Sequence, residues 1–323
     1  DQGNGTCGRV AEGLDIPSLV LGSEGCLGVI CSAVIRIWPL PEVRKFESVV
    51  FPSFEAGLNF VRSLSKKGSN IPASVRLLDN AHFRLGQALR PDALSPMEKA
   101  KELLTKAAST FLLRNLDHGT VVCATISYEG SRREVQVQET IIKELARHHG
   151  GILLGSKVGK AGYDLTFMIA YLRDFAMTYH VLGESFETFV PWSKIESVIS
   201  ATKERIRKEH KARFLPGMPF VGCRVTQLYH EGACLYFYLC IGFDGVKHAS
   251  RLYSELETAA RDEILKHGGS LSHHHGIGKH RAAQLSGRMS TAFADTLKKI
   301  KQSLDNENIF GVRNGPFGFI DDG

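Results

Sequence analysis

Between residues 45 and 243 the apolar positions switch repeatedly between a repeat of two and a repeat near 3.6, the periods of a strand and of an amphipathic helix. Residues 46–51 read as a strand. Residues 53–65 read as a helix whose apolar side carries Ala56, Leu58, Phe60, Val61 and Leu64. Strands are predicted at 73–78 and 120–128, and a helix at 135–149 that stops at the Gly150-Gly151 cap. Short strands alternating with helices in this way predict an α+β layer, an antiparallel sheet backed by helices.

The same reading extends to both sides. Residues 1–17 are Gly-rich and irregular, and Ser18-Leu19-Val20-Leu21 leads into a glycine turn at 22–28. An apolar, strand-like run follows at 29–38 and is stopped by Pro39 and Pro41. Residues 97–113 form an amphipathic run, read as a surface helix in preference to a membrane-contacting one. Residues 164–179 read as a strongly apolar, buried helix with Arg173 inside it, 183–188 as a polar turn, and 193–211 as a charged helix. A hairpin is predicted from strands at 223–229 and 234–243 with a turn at 230–233. In its second strand Leu235, Phe237, Leu239 and Ile241 form the core face, while Tyr236, Tyr238 and Cys240 share the other. Helices are expected at 249–267 and 281–304, and the tail turns at 306–311.

Composition narrows the class. The 323 residues suggest about two domains, and 43% hydrophobic with 23% charged residues is ordinary for a globular chain. The net charge of +6 is carried by scattered lysines and arginines, so no nucleic-acid partner is expected, whereas anionic substrates or a lipid surface suit the sign. Seven cysteines, none in a C-x-x-C pair, suit a reducing compartment better than a disulfide framework. The chain starts at Asp1 in what reads as the middle of a domain, so a fragment is expected, with any N-terminal targeting signal outside it. Its last residues form neither a peroxisomal tripeptide nor a lipidation box.

Three stretches carry candidate chemistry. In Gly268-Gly269-Ser270-Leu271-Ser272-His273-His274-His275-Gly276-Ile277-Gly278-Lys279, three imidazoles that titrate near neutrality sit in a constrained connection. Adjacent histidines point in different directions and make a poor cage for one ion, so no metal is expected. A buried Arg173 must be paired, either structurally with Asp174 or Asp164, or with a carboxylate or phosphate of a ligand. Three glycines in Gly22-Ser23-Glu24-Gly25-Cys26-Leu27-Gly28 mark either a tight hairpin or a backbone edge approached closely by something.

Taken together these motifs bring out a resemblance. Gly22-Ser23-Glu24-Gly25-x-Leu27-Gly28-Val29-Ile30 resembles the flavin-contacting turn of the vanillyl-alcohol-oxidase-type FAD superfamily. Gly183-Glu184-Ser185-Phe186-Glu187-Thr188, Cys223-Arg224-Val225-Thr226-Gln227, Gly232-Ala233-Cys234-x-Tyr236-Phe237-Tyr238 and Ser270-Leu271-Ser272-His273-His274-His275-Gly276 resemble the alkylglycerone-phosphate synthase (alkyl-dihydroxyacetone-phosphate synthase) family. The resemblance runs from about residue 10 to Asn314. It implies a peroxisomal FAD enzyme of ether-lipid (plasmalogen) biosynthesis. Such an enzyme exchanges the acyl chain of acyl-dihydroxyacetone phosphate for a long-chain fatty alcohol through a flavin N5 adduct, without net redox.

Carried over residue by residue, Tyr236 matches the catalytic tyrosine, and His273, His274 and His275 match the active-site histidines, with His274 the first choice for proton transfer. Arg173, in a Tyr-x-Arg-Asp setting, would hold the departing carboxylate, and Ser185 would line the substrate pocket. Gly22, Ser23, Glu24, Gly25, Leu27, Gly28, Val29 and Ile30 would contact FAD. The implied architecture is the end of a PCMH-type FAD-binding domain at 1–43, an α+β cap (substrate) domain at 44–243, and a helical segment at 244–323 bearing the histidine loop. The family's pyrophosphate-binding loop and another active-site histidine belong to an earlier half not in this sequence, so tight FAD binding by this chain alone is not expected. The resemblance also implies association with dihydroxyacetone-phosphate acyltransferase, and leaves room for peripheral membrane contact and a homodimer. Two alternatives stand beside it: an FAD-dependent 2-hydroxyacid dehydrogenase of the same superfamily, and a catalytically inactive truncated product. The role of residues 315–323 stays open.

Overall fold

Strand β1 (Val43–Phe51) pairs with β3 (Val122–Gly130) along its whole length, and that pair starts a seven-stranded sheet in the order β4-β1-β3-β2-β6-β7-β5. The remaining strands are β2 (Ser74–Leu78), β4 (Ile152–Leu153), β5 (Val181–Pro191), β6 (Phe220–Leu228) and β7 (Gly232–Gly242). Every strand pairing is antiparallel. This computed structural model describes residues 13, 15–89 and 117–317, apart from the side chains of residues 166, 169 and 170. The amphipathic run at 97–113 therefore lies outside the described residues, as do residues 1–12 and 318–323. The described chain forms two units, one of residues 40–270 and one of residues up to 39 together with 271 onward.

The sheet belongs to the first unit, and alternation decides its two faces. Val49, Phe51, Leu77, Ile126, Leu235, Phe237 and Leu239 point to one face and are buried there with helical apolar residues in a single core. The helices on that face are α2 (Phe54–Leu64), α4 (Arg132–His148), α6 (Ile195–Ala212) and α7 (Ala249–Lys266). Each side chain of this size removed from water contributes roughly 1.5–3 kcal/mol. Local chemistry sets the helix starts. Ser53 caps α2, and Ser131 with Glu134 forms a reciprocal capping box on α4.

The opposite face carries α3 (Asn80–Ala88) and α5 (Ser156–Met177). Helix α5 makes contact with β1, β3 and β5, and it can do so because two of its residues lack a Cβ. A Cβ on Gly159 would stand 2.5 Å from the Glu47 backbone, and one on Gly162 2.8 Å from Thr125. None of the six cysteines among the described residues is joined in a disulfide. Among the described residues, no helix is long and apolar enough to cross a membrane.

Several expectations are corrected. The stretch 183–188 is not a turn but the middle of the eleven-residue β5, paired with β7 throughout. Glu184 and Thr188 share a side of the strand with the fully buried Phe186 and Val190, while Ser185 and Glu187 take the other, so polar residues on both faces hide the alternation of a strand. The segment 164–179 is helical but starts earlier, and it is not buried. Phe167, Met168, Tyr171 and Phe175 are more than half exposed, because a helix that is apolar all round has only one side against the sheet. Residues 29–38 form no strand. The helix expected at 281–304 is two, α8 (Ala282–Ser286) and α9 (Thr291–Leu304), separated where Gly287 ends the first and the Ser290 side chain caps the second.

In the second unit, α1 (Ile16–Gly22) precedes the glycine turn, and α8 and α9 follow the histidine loop. A small core of Cys26, Leu297 and Phe317 holds it. The buried Lys301 ammonium is fully occupied. It donates to the Cys26 and Phe310 carbonyls at 2.7 Å and to the Asp305 carboxylate. Those bonds from Lys301, helped by the Phe310 and Ile309 amides, hold the Asp305 carboxyl down at about 2.

Candidate functional site

Tyr236 and Tyr238 stand on the face of β7 that the core does not use, as the alternation predicts, and they open onto a cavity of about 600 Å³. Its wall is mostly apolar, with Leu85 and Leu89 from the α3 end, Leu172 and Phe175 from α5, and Phe220 from β6. Polar groups gather at β5 and β7. The Tyr236 and Ser185 hydroxyls are 2.9 Å apart, one donating to the other. The Arg224 guanidinium lies over both tyrosine rings, 4.6 Å from the centre of Tyr236 and 4.9 Å from that of Tyr238. Burial pushes the Tyr238 phenol up, against the opposing pull of Arg224. Burial also raises the Cys240 thiol, to about 11, so it lines the cavity as a neutral group.

Arg173 reaches the same cavity from α5, but it is not the buried cation expected. Its side chain is 45% exposed and donates to Glu184 Oε1 at 2.6 Å, with Asp174 a longer 3.7 Å away. Lys160, not Arg173, pairs with Asp164. Thus Tyr236, Ser185 and Arg173, picked from three separate stretches of sequence, line one cavity.

Sequence reasoning missed a further group on this wall. Asp79, at the N-terminus of α3, accepts from the His82 amide at 2.9 Å and sits 3.1 Å from His82 Nδ1. Its second oxygen accepts from Lys203 Nζ at 2.5 Å and from the Cys223 amide at 2.7 Å. Burial pushes this carboxyl up, but the hydrogen bonds from His82 and Lys203, together with the Lys203 charge, outweigh that and hold it down at about 2. The signal was present as Asp79-Asn80-Ala81-His82, an acidic cap with a histidine three residues on.

The other predicted residues belong to the second unit. His273 Nδ1 and His274 Nδ1 are 2.8 Å apart, so one carries the proton and the other accepts it, which fixes opposite tautomers when both rings are neutral. The His275 ring packs edge-on against His274 at 4.7 Å. Glu24 holds the exit of this loop, accepting from the Ile277 amide at 2.6 Å and the Gly278 amide at 2.7 Å. Arg281 adds a bond to the Gly276 carbonyl. Gly276 has φ +79° and a Cβ there would lie 2.7 Å from Glu24, so only glycine fits. In the turn itself Ser23 is buried and donates to the Val20 carbonyl. Gly22, Gly25 and Gly28 have open space where a Cβ would be, and Val29 and Ile30 are exposed. A bare backbone edge of this kind can admit a planar ring system such as that of FAD at close range.

The chain is similar to known proteins along nearly all of its length. It is 44% identical over 306 residues to an alkyldihydroxyacetonephosphate synthase of Caenorhabditis elegans, covering 95% of this chain and 51% of that protein. A synthase of the same name from Trypanosoma brucei brucei is 28% identical over 297 residues, covering 92% and 48%. A solved alkyldihydroxyacetonephosphate synthase structure shares the fold at a TM-score of 0.73 and 22% identity, covering 93% of this chain and 50% of that one. The chain therefore spans about half the length of the relatives it matches. Residues 40–313 match the family of FAD linked oxidases, C-terminal domain, and with most of its length inside that match the chain belongs to this family.

Proposed function

We propose that this chain is the C-terminal part of an FAD-dependent alkyldihydroxyacetonephosphate synthase, which exchanges the acyl chain of acyl-dihydroxyacetone phosphate for a long-chain fatty alcohol. The observation that carries the reading is the gathering of Tyr236, Ser185 and Arg173 on one largely apolar cavity, in a chain 44% identical to a synthase of that name. An aliphatic chain fits the apolar wall, and the reacting head belongs at the Ser185–Tyr236 end. FAD, when bound, would supply an electron-accepting ring for the exchange, with no net oxidation or reduction. Gly22, Gly25 and Gly28 would let it approach, and Val29 and Ile30 would cover it.

The Tyr236 phenol, paired with Ser185 Oγ, moves a proton at its Oη. Arg173 releases Glu184 and stabilises the departing carboxylate through its planar fork. By the same resemblance His274, with a neighbouring imidazole already hydrogen-bonded to it, is the histidine assigned to proton transfer. A peroxisomal location, and association with the acyltransferase that makes the substrate, follow from the same resemblance.

The test uses the full-length, FAD-loaded protein and follows a labelled fatty alcohol into acyl-dihydroxyacetone phosphate. Tyr236→Phe is expected to lower turnover by about 100-fold or more while leaving the melting temperature nearly unchanged. Absence of labelled ether product from the unmodified protein, or reduction of its flavin by a 2-hydroxyacid, would sink the reading.

A further inference from the structure

His82 is 7% exposed, lines the cavity, and leaves its Nε2 buried without a hydrogen-bond partner among the described residues. A buried polar nitrogen left unmade is costly, so its retention on a cavity wall asks for an occupant. The ring cannot turn away to find one. One edge is pinned by Asp79 at Nδ1, and a Cβ on Gly222 would meet that same edge at 2.5 Å, so β6 is already closed down on it. Phe220 and Tyr238 stand edge-on to it with ring centres at 5.9 and 5.0 Å.

The identity of the missing partner follows from Asp79. That carboxylate only accepts, so the proton on the facing nitrogen belongs to Nδ1, and the neutral ring then presents a lone pair at Nε2. Lys203 and the Cys223 amide occupy the other oxygen and keep the carboxylate where it is. A lone pair wants a donor. The surrounding wall, with Leu85, Leu89 and Phe220, wants an aliphatic body. A neutral molecule with a hydroxyl on an alkyl chain satisfies both, whereas a carboxylate has no proton to give and would face the Asp79 charge behind the ring.

We propose that His82, oriented by Asp79, accepts a hydrogen bond from the hydroxyl of a long-chain aliphatic alcohol in this cavity, and so selects the alcohol over the corresponding carboxylate. The proposal rests on the reading of the cavity as the aliphatic site, and it adds the residue that would tell the entering alcohol from the leaving acid. In this role His82 is a specificity-determining residue.

The experiment measures displacement of a polarity-sensitive fluorescent probe from the chain by dodecan-1-ol, by its methyl ether and by dodecanoate. In the unmodified protein the alcohol should bind about fivefold more tightly than the ether, the worth of one hydrogen bond, and more tightly than dodecanoate. His82→Phe should bring the alcohol-to-ether ratio to about one, and His82→Gln, which keeps an acceptor at the same reach, should restore it. The comparison of alcohol with ether in the unmodified protein needs no variant to fold. Equal affinity there, or a ratio unmoved by His82→Phe, overturns the role of His82 while leaving the aliphatic cavity standing. Failure of all three molecules to displace the probe overturns the cavity reading, and this proposal falls with it.

Discussion

Asp79 accepts four hydrogen bonds, two from His82 and one each from Lys203 and the Cys223 amide, and it joins the start of α3 to β6 and α6. A carboxyl held at about 2 in the folded state, against an ordinary value of 3.8, contributes stability that is fully present above pH 4. That contribution disappears as the pH falls through about 2, since the unfolded chain then binds the proton first. Asp79→Asn is therefore expected to cost about 2 kcal/mol at neutral pH, with urea unfolding as the measurement. The difference between the two proteins should shrink steadily below pH 4. A penalty that is the same at pH 7 and pH 2.5 would show that shape, not charge, matters at this position. Of this network only the local Asp79-x-x-His82 cap leaves a trace in the sequence. Tyr236, Ser185 and Arg173 could be picked out because their chemistry stands in recognisable strings, whereas Asp79, His82 and Lys203 meet only after α6 folds across the sheet.

Glycines show at the level of elements why some packing can be read from a sequence and some cannot. Helix α5 approaches β1 through Gly159, where an added Cβ would lie 2.5 Å from Glu47 backbone atoms that cannot rotate aside. In α3, by contrast, Gly86 has nothing within 4 Å of that point. Both are helical glycines, and alanine improves helix propensity at each by up to about 1 kcal/mol. Gly86→Ala should therefore raise the melting temperature slightly, while Gly159→Ala should lower it, with a net cost of about 1–3 kcal/mol as α5 is pushed off the sheet. Thermal unfolding of the two variants side by side checks the opposed signs. The sequence pattern could not tell these glycines apart, because the clash comes from a strand more than a hundred residues earlier. Where one element alone sets the pattern, reading succeeded. The core face of β7 came out as the alternation implies, whereas α4 starts at Arg132, three residues before the predicted 135. Reading failed at β5, whose polar residues fall on both faces and hide the strand alternation, and at 287–290, where a glycine and a serine cap cut one apolar pattern into two helices.

At the scale of the whole molecule, the glycine turn is followed by a run whose apolar side chains face solvent. Val34, Ile35, Ile37 and Trp38 are 74–82% exposed, and no strand forms there among the described residues. The β-branched composition that suggested a strand is real, but a strand exists only when a neighbour accepts its backbone hydrogen bonds. An exposed, apolar, unladdered segment of this kind is a template for pairing with another copy. The chain by itself is accordingly expected to self-associate as its concentration rises. A Val34→Lys, Ile37→Lys double variant should suppress this, because charge on an extended edge opposes pairing. Both side chains are at least three-quarters exposed, so the change should leave the melting temperature of the protein where it is. Light scattering across a concentration series is the direct measurement. If the double variant associates as readily as the unmodified chain, the contact lies elsewhere, and the exposed aromatic residues of α5 become the surface to examine next.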